Sequence, residues 1–136
     1  MVSFEGVYKR AKNENYDAFL AKIGLNFLIR KAACLASATL TVSKSSEDEK
    51  WTFKTETTMR TTTMEFKVGE DWVETVQGGY KVDCSASFEG NTLTIIQKPQ
   101  DGPGKVITIV REFSDEGIKV TMTLDEVVCN QFYTRQ

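Results

Sequence analysis

From Thr39 to the end of the sequence, apolar and polar residues alternate in short runs, and turn-forming residues separate the runs. Alternation with a period of two is typical of strands with one buried face, because successive side chains point to opposite sides of a sheet. The separating segments are SSEDE, VGED, QGG, EGN, PQDGPG and SDEG. We therefore predict strands at 39–45, 51–58, 61–67, 71–77, 80–88, 91–98, 105–113, 117–124 and 127–135, and a further one at 5–12.

A helical pattern interrupts the strands near the start of the sequence. Apolar residues there recur at the three- and four-residue spacing of a helix, at Tyr16, Phe19, Leu20 and Ile23. Asn15 is a predicted N-cap, and Gly24 suits a helix C-terminus. A second short helix is predicted from Asn26 to about Leu35. The pattern therefore predicts two helices joined by a tight turn.

A sheet of ten short antiparallel strands leaves unpaired backbone groups on its two edge strands. Closing the sheet into a barrel pairs these groups within one chain. A barrel of about ten strands is wider than its own side chains easily fill, so we expect an interior cavity. The two helices after the first strand could cover one open end. The prediction is an all-β, ten-stranded antiparallel up-and-down barrel with a helix-turn-helix lid, forming a single domain over residues 1–136.

Composition narrows the function classes. The formal net charge is -2, from 17 basic and 19 acidic residues, so we expect no nucleic-acid binding. The sequence has no histidine and no nucleotide-binding or nucleophile motif, which favours a binding protein without metal or cofactor over an enzyme. An enzyme using Cys or a carboxylate stays open. The three cysteines have no CxxC spacing and are predicted to be buried, reduced thiols. No apolar run resembles a secretory signal or membrane span, so an intracellular protein is expected.

Two strands carry polar residues where alternation predicts a buried face. In KVITIVREF, Arg111 shares a face with Ile107, Ile109 and Phe113, and a buried guanidinium is costly unless an anion or several acceptors meet it. The alternative is that Arg111 reaches solvent or a neighbouring Glu. In VVCNQFYTRQ, neither face is cleanly apolar: one carries Val127, Cys129, Gln131 and Tyr133, and the other carries Val128, Asn130, Phe132 and Thr134. Alternation alone leaves the inner face of this strand open.

The stretch FEGVYKRAKNENYDAFLAKIG strongly resembles the N-terminal signature of the intracellular lipid-binding proteins, which comprise the fatty acid-binding and cellular retinoid-binding proteins. Further matching segments are FLIRKAA, TETTMRTTTMEFKVGEDW, IVREF and VVCNQFY. The resemblance implies a lidded ten-stranded barrel and a monomeric, non-enzymatic, cytoplasmic carrier of one long-chain fatty acid. A carrier of a retinoid (retinoic acid or retinol) and a membrane-tethering lipid-binding protein are the alternatives.

The resemblance also implies a site. Many members hold the lipid carboxylate with two arginines and a tyrosine, and Arg111 matches the first arginine while Tyr133 matches the tyrosine. Gln131 stands at the second arginine, which implies less exclusive binding of anions. The remaining positions matched to the ligand cavity and portal are Tyr16, Phe19, Leu20, Leu25, Ala33, Ala36, Met59, Trp72, Gln97, Ile109, Val120 and Met122. For each apolar residue among them, plain barrel core is an equal alternative.

Three basic residues on the predicted helices, Lys22, Arg30 and Lys31, match positions that some relatives use to approach anionic membranes or to form a folding-dependent nuclear import signal. The resemblance thus implies transient membrane contact and adds the nucleus as a second location. The alternative is an ordinary solvated helix face.

Overall fold

The structure is a computed structural model, and it describes residues 3–58, 60–75, 81–100 and 106–136. Met59 lies outside the described residues, as do parts of the strands predicted at 71–77, 80–88 and 105–113. The elements in chain order are β1 Gly6–Glu14, α1 Tyr16–Ile23, α2 Phe27–Leu35, β2 Ala38–Lys44, β3 Trp51–Thr57, β4 Thr61–Phe66, β5 Trp72–Thr75, β6 Lys81–Glu89, β7 Thr92–Pro99, β8 Ile107–Phe113, β9 Gly117–Leu124 and β10 Val127–Arg135. The predicted number and order of strands and helices are confirmed.

The ten strands form one antiparallel sheet in the order β4-β3-β2-β1-β10-β9-β8-β7-β6-β5. Consecutive strands pair with each other, and β1 pairs with β10, so the sheet curls into a nearly closed barrel. Within the described ranges no ladder joins the two edge strands, β4 and β5. Instead, the rings of Phe66 on β4 and Trp72 on β5 stack at 4.9 Å between centroids. Ring stacking therefore links the two edges at one point.

Two apolar clusters lie at opposite ends of the barrel. β9 and β10 contribute Ile118 and Tyr133 to the larger cluster, and they contribute Leu124 and Cys129 to the cluster beneath the helices. The larger cluster includes rings in close contact, with Phe4 at 4.6 Å from Phe113 and 5.1 Å from Phe88 between ring centroids. We call its rings the aromatic cluster: Phe4, Trp51, Phe53, Phe66, Phe88 and Phe113.

The helix ends are fixed by three capping residues. Asn15 is the N-cap of α1 as predicted, but its side chain makes no capping bond: its φ is 63°, and its Nδ2 donates to the Val128 carbonyl at 2.9 Å. Gly24 ends α1 in the left-handed region, at φ 112°, where glycine avoids the steric penalty of a Cβ. Asn26 caps α2 by accepting from the backbone N–H of Ile29 at 3.0 Å.

α2 is held loosely against the barrel. It has no fully buried residue, and Phe27, Leu28 and Leu35 are 61%, 75% and 77% exposed. No helix in the described parts of the chain is long and apolar enough to cross a bilayer. The lid thus presents apolar side chains to its surroundings.

Candidate functional site

A cavity of about 310 Å³ lies inside the barrel beneath the helices. This volume is at the lower end of the range of roughly 300–1,000 Å³ that is typical of small-molecule sites. Eight residues predicted from the sequence line it: Tyr16, Leu20, Leu25, Ala33, Ala36, Gln97, Gln131 and Tyr133. The structure therefore brings residues of both helices together with residues of β7 and β10 around one space.

Part of the cavity wall was not predicted. Strands β3 to β5 contribute five threonines to the lining, together with the charged residues Arg60 and Glu74. The threonines are Thr55, Thr57, Thr62, Thr63 and Thr75. Their hydroxyl groups donate and accept hydrogen bonds, so this side of the cavity can hold water as well as an apolar chain.

Five predicted cavity residues lie outside this lining, and so does Arg111, the predicted headgroup residue on β8. Phe19 belongs to the cluster beneath the helices, and Val120 belongs to the larger core cluster. Trp72, Ile109 and Met122 are partly buried and pack against that larger cluster. Contact of these five residues with a ligand stays a prediction, because they stand among core side chains.

Arg111 is a buried cation on β8, which is the inward orientation that the family resemblance implies and that alternation alone left open. Its guanidinium carbon lies 5.1 Å from the centre of the Phe53 ring. The residue keeps some accessible surface, but Nε and Nη1 keep almost none, and no described residue accepts a hydrogen bond from either. Burial lowers the pKa of Arg111 to about 10, against an opposing effect of Tyr133. Arg111 therefore presents two unmatched donors in a poorly solvated interior.

The burial of β10 answers which face of VVCNQFYTRQ points inward. Cys129, Gln131 and Tyr133 are 0%, 5% and 9% exposed, whereas Val128 on the other face is 43% exposed. Gln131 donates through Nε2 to Oδ1 of Asn13 at 3.0 Å. Its amide has a second N–H and a carbonyl oxygen on a side chain that lines the cavity. The inner face of β10 is thus polar at two adjacent inward positions.

The charges of two guanidinium groups affect the pKa of the Tyr133 phenol. Burial raises the pKa of its phenol, and the positive charges of Arg10 and then Arg111 oppose that rise. The phenol therefore stays protonated at neutral pH and can donate a hydrogen bond. Arg10, unlike Arg111, was not among the predicted site residues.

Arg10 reaches the cavity from β1, where it pairs in register with Tyr133. Its Nη2 donates to the carbonyl of Ala33 at 3.0 Å and to that of Ala36 at 2.6 Å. The guanidinium carbon also lies 5.4 Å from the centre of the Tyr16 ring. A signal for Arg10 was present in the sequence, because alternation from the buried Tyr8 places Arg10 on the same face.

The three cysteines, Cys34, Cys84 and Cys129, are free thiols. Burial raises the pKa of Cys84 and of Cys129 to about 11, so both stay protonated and poorly nucleophilic at neutral pH. Within the described ranges, no group of three His, Cys, Asp or Glu side chains is placed to hold a metal ion.

Comparison with known proteins decides the family. Residues 5–136 match the family described as lipocalin / cytosolic fatty-acid binding protein. The chain belongs to this family. A fatty acid-binding protein of Tyrophagus putrescentiae is 42% identical over 137 residues, which cover 100% of both chains. Human cellular retinoic acid-binding protein 2 is 34% identical over 138 residues, again covering 100% of both.

The fold agrees with solved structures of the family. The structure of a Schistosoma mansoni fatty acid binding protein in complex with arachidonic acid matches with a TM-score of 0.87 at 28% identity. The match covers 98% of this chain and 96% of that one. The predicted resemblance to the intracellular lipid-binding proteins is therefore confirmed.

Proposed function

We propose that the protein is a cytoplasmic, monomeric carrier that binds one long-chain fatty acid in its barrel cavity, with the carboxylate held by Arg111, Tyr133 and Gln131. The single observation that carries the proposal is Arg111, whose Nε and Nη1 are covered and lack an acceptor within the described residues. A buried unpaired charge is destabilising, and a carboxylate would both neutralise it and accept its hydrogen bonds. Family membership supports a lipid-binding carrier.

The remaining parts of the site suit a carboxylate with an apolar tail. Tyr133 would donate one hydrogen bond, and the free N–H of Gln131 would donate another. The apolar chain would follow the lining contributed by the helices, Leu20, Leu25, Ala33 and Ala36. The predicted positions Phe19, Trp72, Ile109, Val120 and Met122 would contact the chain if the core side chains around them rearrange on binding.

Retinoic acid is the second candidate ligand, because it also carries a carboxylate and because retinoic acid-binding proteins are among the relatives. Retinol is disfavoured on charge, since a hydroxyl group would leave the guanidinium of Arg111 unneutralised. A direct competition between oleate and retinoic acid measures their relative affinities and shows which of the two ligands the protein prefers.

Contact with anionic membranes would use the lid. Lys22 pairs with Glu126 at 3.2 Å, and Arg30 pairs with Asp17 at 3.1 Å between the charged atoms, which lowers the charge these two residues offer to a membrane. The exposed Phe27, Leu28 and Leu35 favour shallow insertion of α2 instead, with Lys31 attracting anionic headgroups. A role in membrane tethering would require vesicle aggregation by protein that carries no lipid, and location in the nucleus would require import that depends on these cations.

The test compares oleate with methyl oleate, which has the same chain without the charge. Arg111→Ala should weaken binding of oleate by about 1–3 kcal/mol more than binding of methyl oleate. Lys119→Ala, which removes an exposed cation from the outer face of β9, should change neither affinity. Native mass spectrometry of protein gently extracted from its source should show one bound fatty acid. Equal losses for acid and ester would contradict the carboxylate assignment.

The carrier should not turn its ligand over. Incubation with fatty acyl esters and retinoids is expected to return them unchanged, since the chain has no histidine and its buried thiols are protonated. Hydrolysis or oxidation that survives purification and is lost in Cys129→Ala or Arg111→Ala would contradict this expectation.

A further inference from the structure

Arg10 occupies a position between the lid and the headgroup residues. It lines the same cavity as Gln131 and Tyr133, and its register partner on β10 is Tyr133 itself. On the lid side it contacts the Tyr16 ring of α1 and the C-terminal end of α2. A single side chain thus touches β1, both helices and the polar face of β10.

The hydrogen bonds of Arg10 leave part of its guanidinium for a ligand. A guanidinium has five N–H groups, and the two of Nη2 are used by the carbonyls of Ala33 and Ala36. The other three belong to Nε and Nη1, on a side chain that lines the cavity and that also hydrogen-bonds the Tyr133 phenol. The carbonyls at a helix C-terminus carry partial negative charge, so they hold the cation in place without neutralising it.

We propose that Arg10 is a second ligand for the anionic headgroup, acting with Arg111 and Tyr133, and that it links headgroup binding to the C-terminal end of α2. The inference rests on the proposed function, because it names a further residue of the same site. It also accounts for the polar but neutral Gln131, since the second positive charge of the site would come from β1 rather than from β10.

The physical basis of the link is a shared group. When a carboxylate binds Nε and Nη1 of Arg10, the guanidinium loses mobility, and the two bonds from its Nη2 to α2 are restrained as well. Coupling of this kind is reciprocal, so a well-ordered α2 end also favours binding of the carboxylate. Methyl oleate offers no charge to Arg10 and should leave the end of α2 as it is.

Three variants separate the charge of Arg10 from its hydrogen bonds. Arg10→Met keeps an unbranched apolar stem and removes both, whereas Arg10→Gln removes the charge and keeps an amide donor for the carbonyls of α2. Lys9→Met is the matched control, because Lys9 is the exposed outward neighbour on β1 and carries the same charge. We expect both Arg10 variants to lose about 10- to 100-fold in affinity for oleate, with about twofold or less lost for methyl oleate and in the control.

Hydrogen exchange measures the link to α2. In the wild type, oleate should slow exchange of the Ala36 amide, which donates to the Ala32 carbonyl at the end of α2. Arg10→Met should abolish this slowing. The double variant Arg10→Met with Gln131→Arg should regain most of the affinity for oleate, because it returns a cation to the site, but it should not regain the slowing at Ala36.

Each outcome bears on the inference. Equal losses for oleate and methyl oleate in Arg10→Met would mean that Arg10 only supports the fold, which would overturn it. Slowing at Ala36 that persists in the Arg10→Met complex with oleate would overturn the link to α2. A wild-type protein that does not bind oleate would overturn the proposed function together with the inference. The inference alone would be overturned if oleate binding depends on Arg111 but Arg10→Met loses the same affinity for oleate as for methyl oleate.

Discussion

The two ends of the barrel are packed in opposite ways. At one end, the aromatic cluster brings rings to within 4.6 Å of each other, and Phe53, Phe66 and Phe113 are nearly inaccessible. At the other end, α2 buries no residue fully, and the cavity beneath it is lined by threonines and Arg10. Burial of apolar surface stabilises the first end, whereas the second leaves space and polar groups unmatched.

This difference indicates that the two ends of the barrel have different roles, one in stability and the other in forming a cavity. The aromatic cluster supplies stability that the helix end does not need to supply, so the helix end can keep a cavity lined by Arg10 and other polar side chains. A site that binds ligand tightly often contains groups that destabilise the ligand-free protein. This difference in roles can be tested by comparing matched substitutions at the two ends.

The largest effect is expected for Phe113→Ala in the aromatic cluster. The substitution removes a ring that contacts Phe4 and Tyr8, and it should lower the free energy of unfolding by about 3–5 kcal/mol in a denaturant titration. The matched control at the other end is Phe27→Ala, where the ring is mostly exposed and the expected loss is within about 0.5 kcal/mol. Similar losses for both variants would contradict this difference in roles.

The next effect is a gain of stability from removing the buried cation. Arg111→Leu should raise the free energy of unfolding of the ligand-free protein by about 1–4 kcal/mol, while weakening the binding of oleate. The wild-type penalty is present below the lowered pKa of about 10 and is relieved as pH rises above it, since the folded state then loses the proton first. The gain measured for Arg111→Leu should therefore shrink as pH rises above about 10. A destabilised Arg111→Leu would show that the guanidinium is well matched in the folded protein.

A smaller loss is expected when the headgroup site receives a third cation. Gln131→Arg would add a charge beside Arg10 and Arg111, with Tyr133 and Asn13 to offset it, and it should destabilise the ligand-free protein by about 1 kcal/mol. Bound oleate should recover this loss, so the upward shift in melting temperature on adding oleate should be larger than in the wild type. Melting curves with and without oleate measure both effects. Unchanged curves would mean that position 131 does not contact the headgroup.

The smallest effect on folding is expected at the exposed face of the lid. Leu28→Ser should change the free energy of unfolding by less than about 0.5 kcal/mol, because Leu28 is 75% exposed. Its affinity for anionic vesicles should nevertheless fall by about tenfold, as expected for the loss of one buried leucine at the membrane. Val73→Ser, at an exposed apolar residue on β5, is the control and should bind vesicles like the wild type. Equal vesicle binding by both variants would exclude insertion of α2.

Much of this arrangement could be predicted from the sequence, because alternation and turn residues are local signals. They predicted ten strands and two helices in the observed order, and the same alternation placed Arg111 on an apolar face while leaving its burial open. The inner face of β10 was less clear, since Gln131 and Tyr133 are polar, and the family resemblance was needed to decide it. Burial of both residues confirms that decision.

The features that were not predicted from the sequence depend on packing between distant segments of the chain. The register of β1 against β10 shifts between Arg10 and Lys12, so the strand continues to Glu14 and Asn13 reaches Gln131. A period-two pattern cannot show such a bulge. Arg10 itself was accessible to the same reasoning as Arg111, because it shares a strand face with the buried Tyr8. The side chain of Asn15 bonds β10 instead of its own helix, which local capping rules do not anticipate.

The pairing of β1 with β10 also determines when, during synthesis and folding of the chain, the site can form. Asn13 and Gln131, which hydrogen-bond to each other at the proposed headgroup site, are separated by 118 positions along the chain. Contacts of such long range form slowly, because a long loop must close before they are gained. A ribosome that has made the helices and the first nine strands has therefore not yet made a binding site. The chain can take up its ligand only after the last strand has emerged, so the lipid cannot guide the earlier steps of folding.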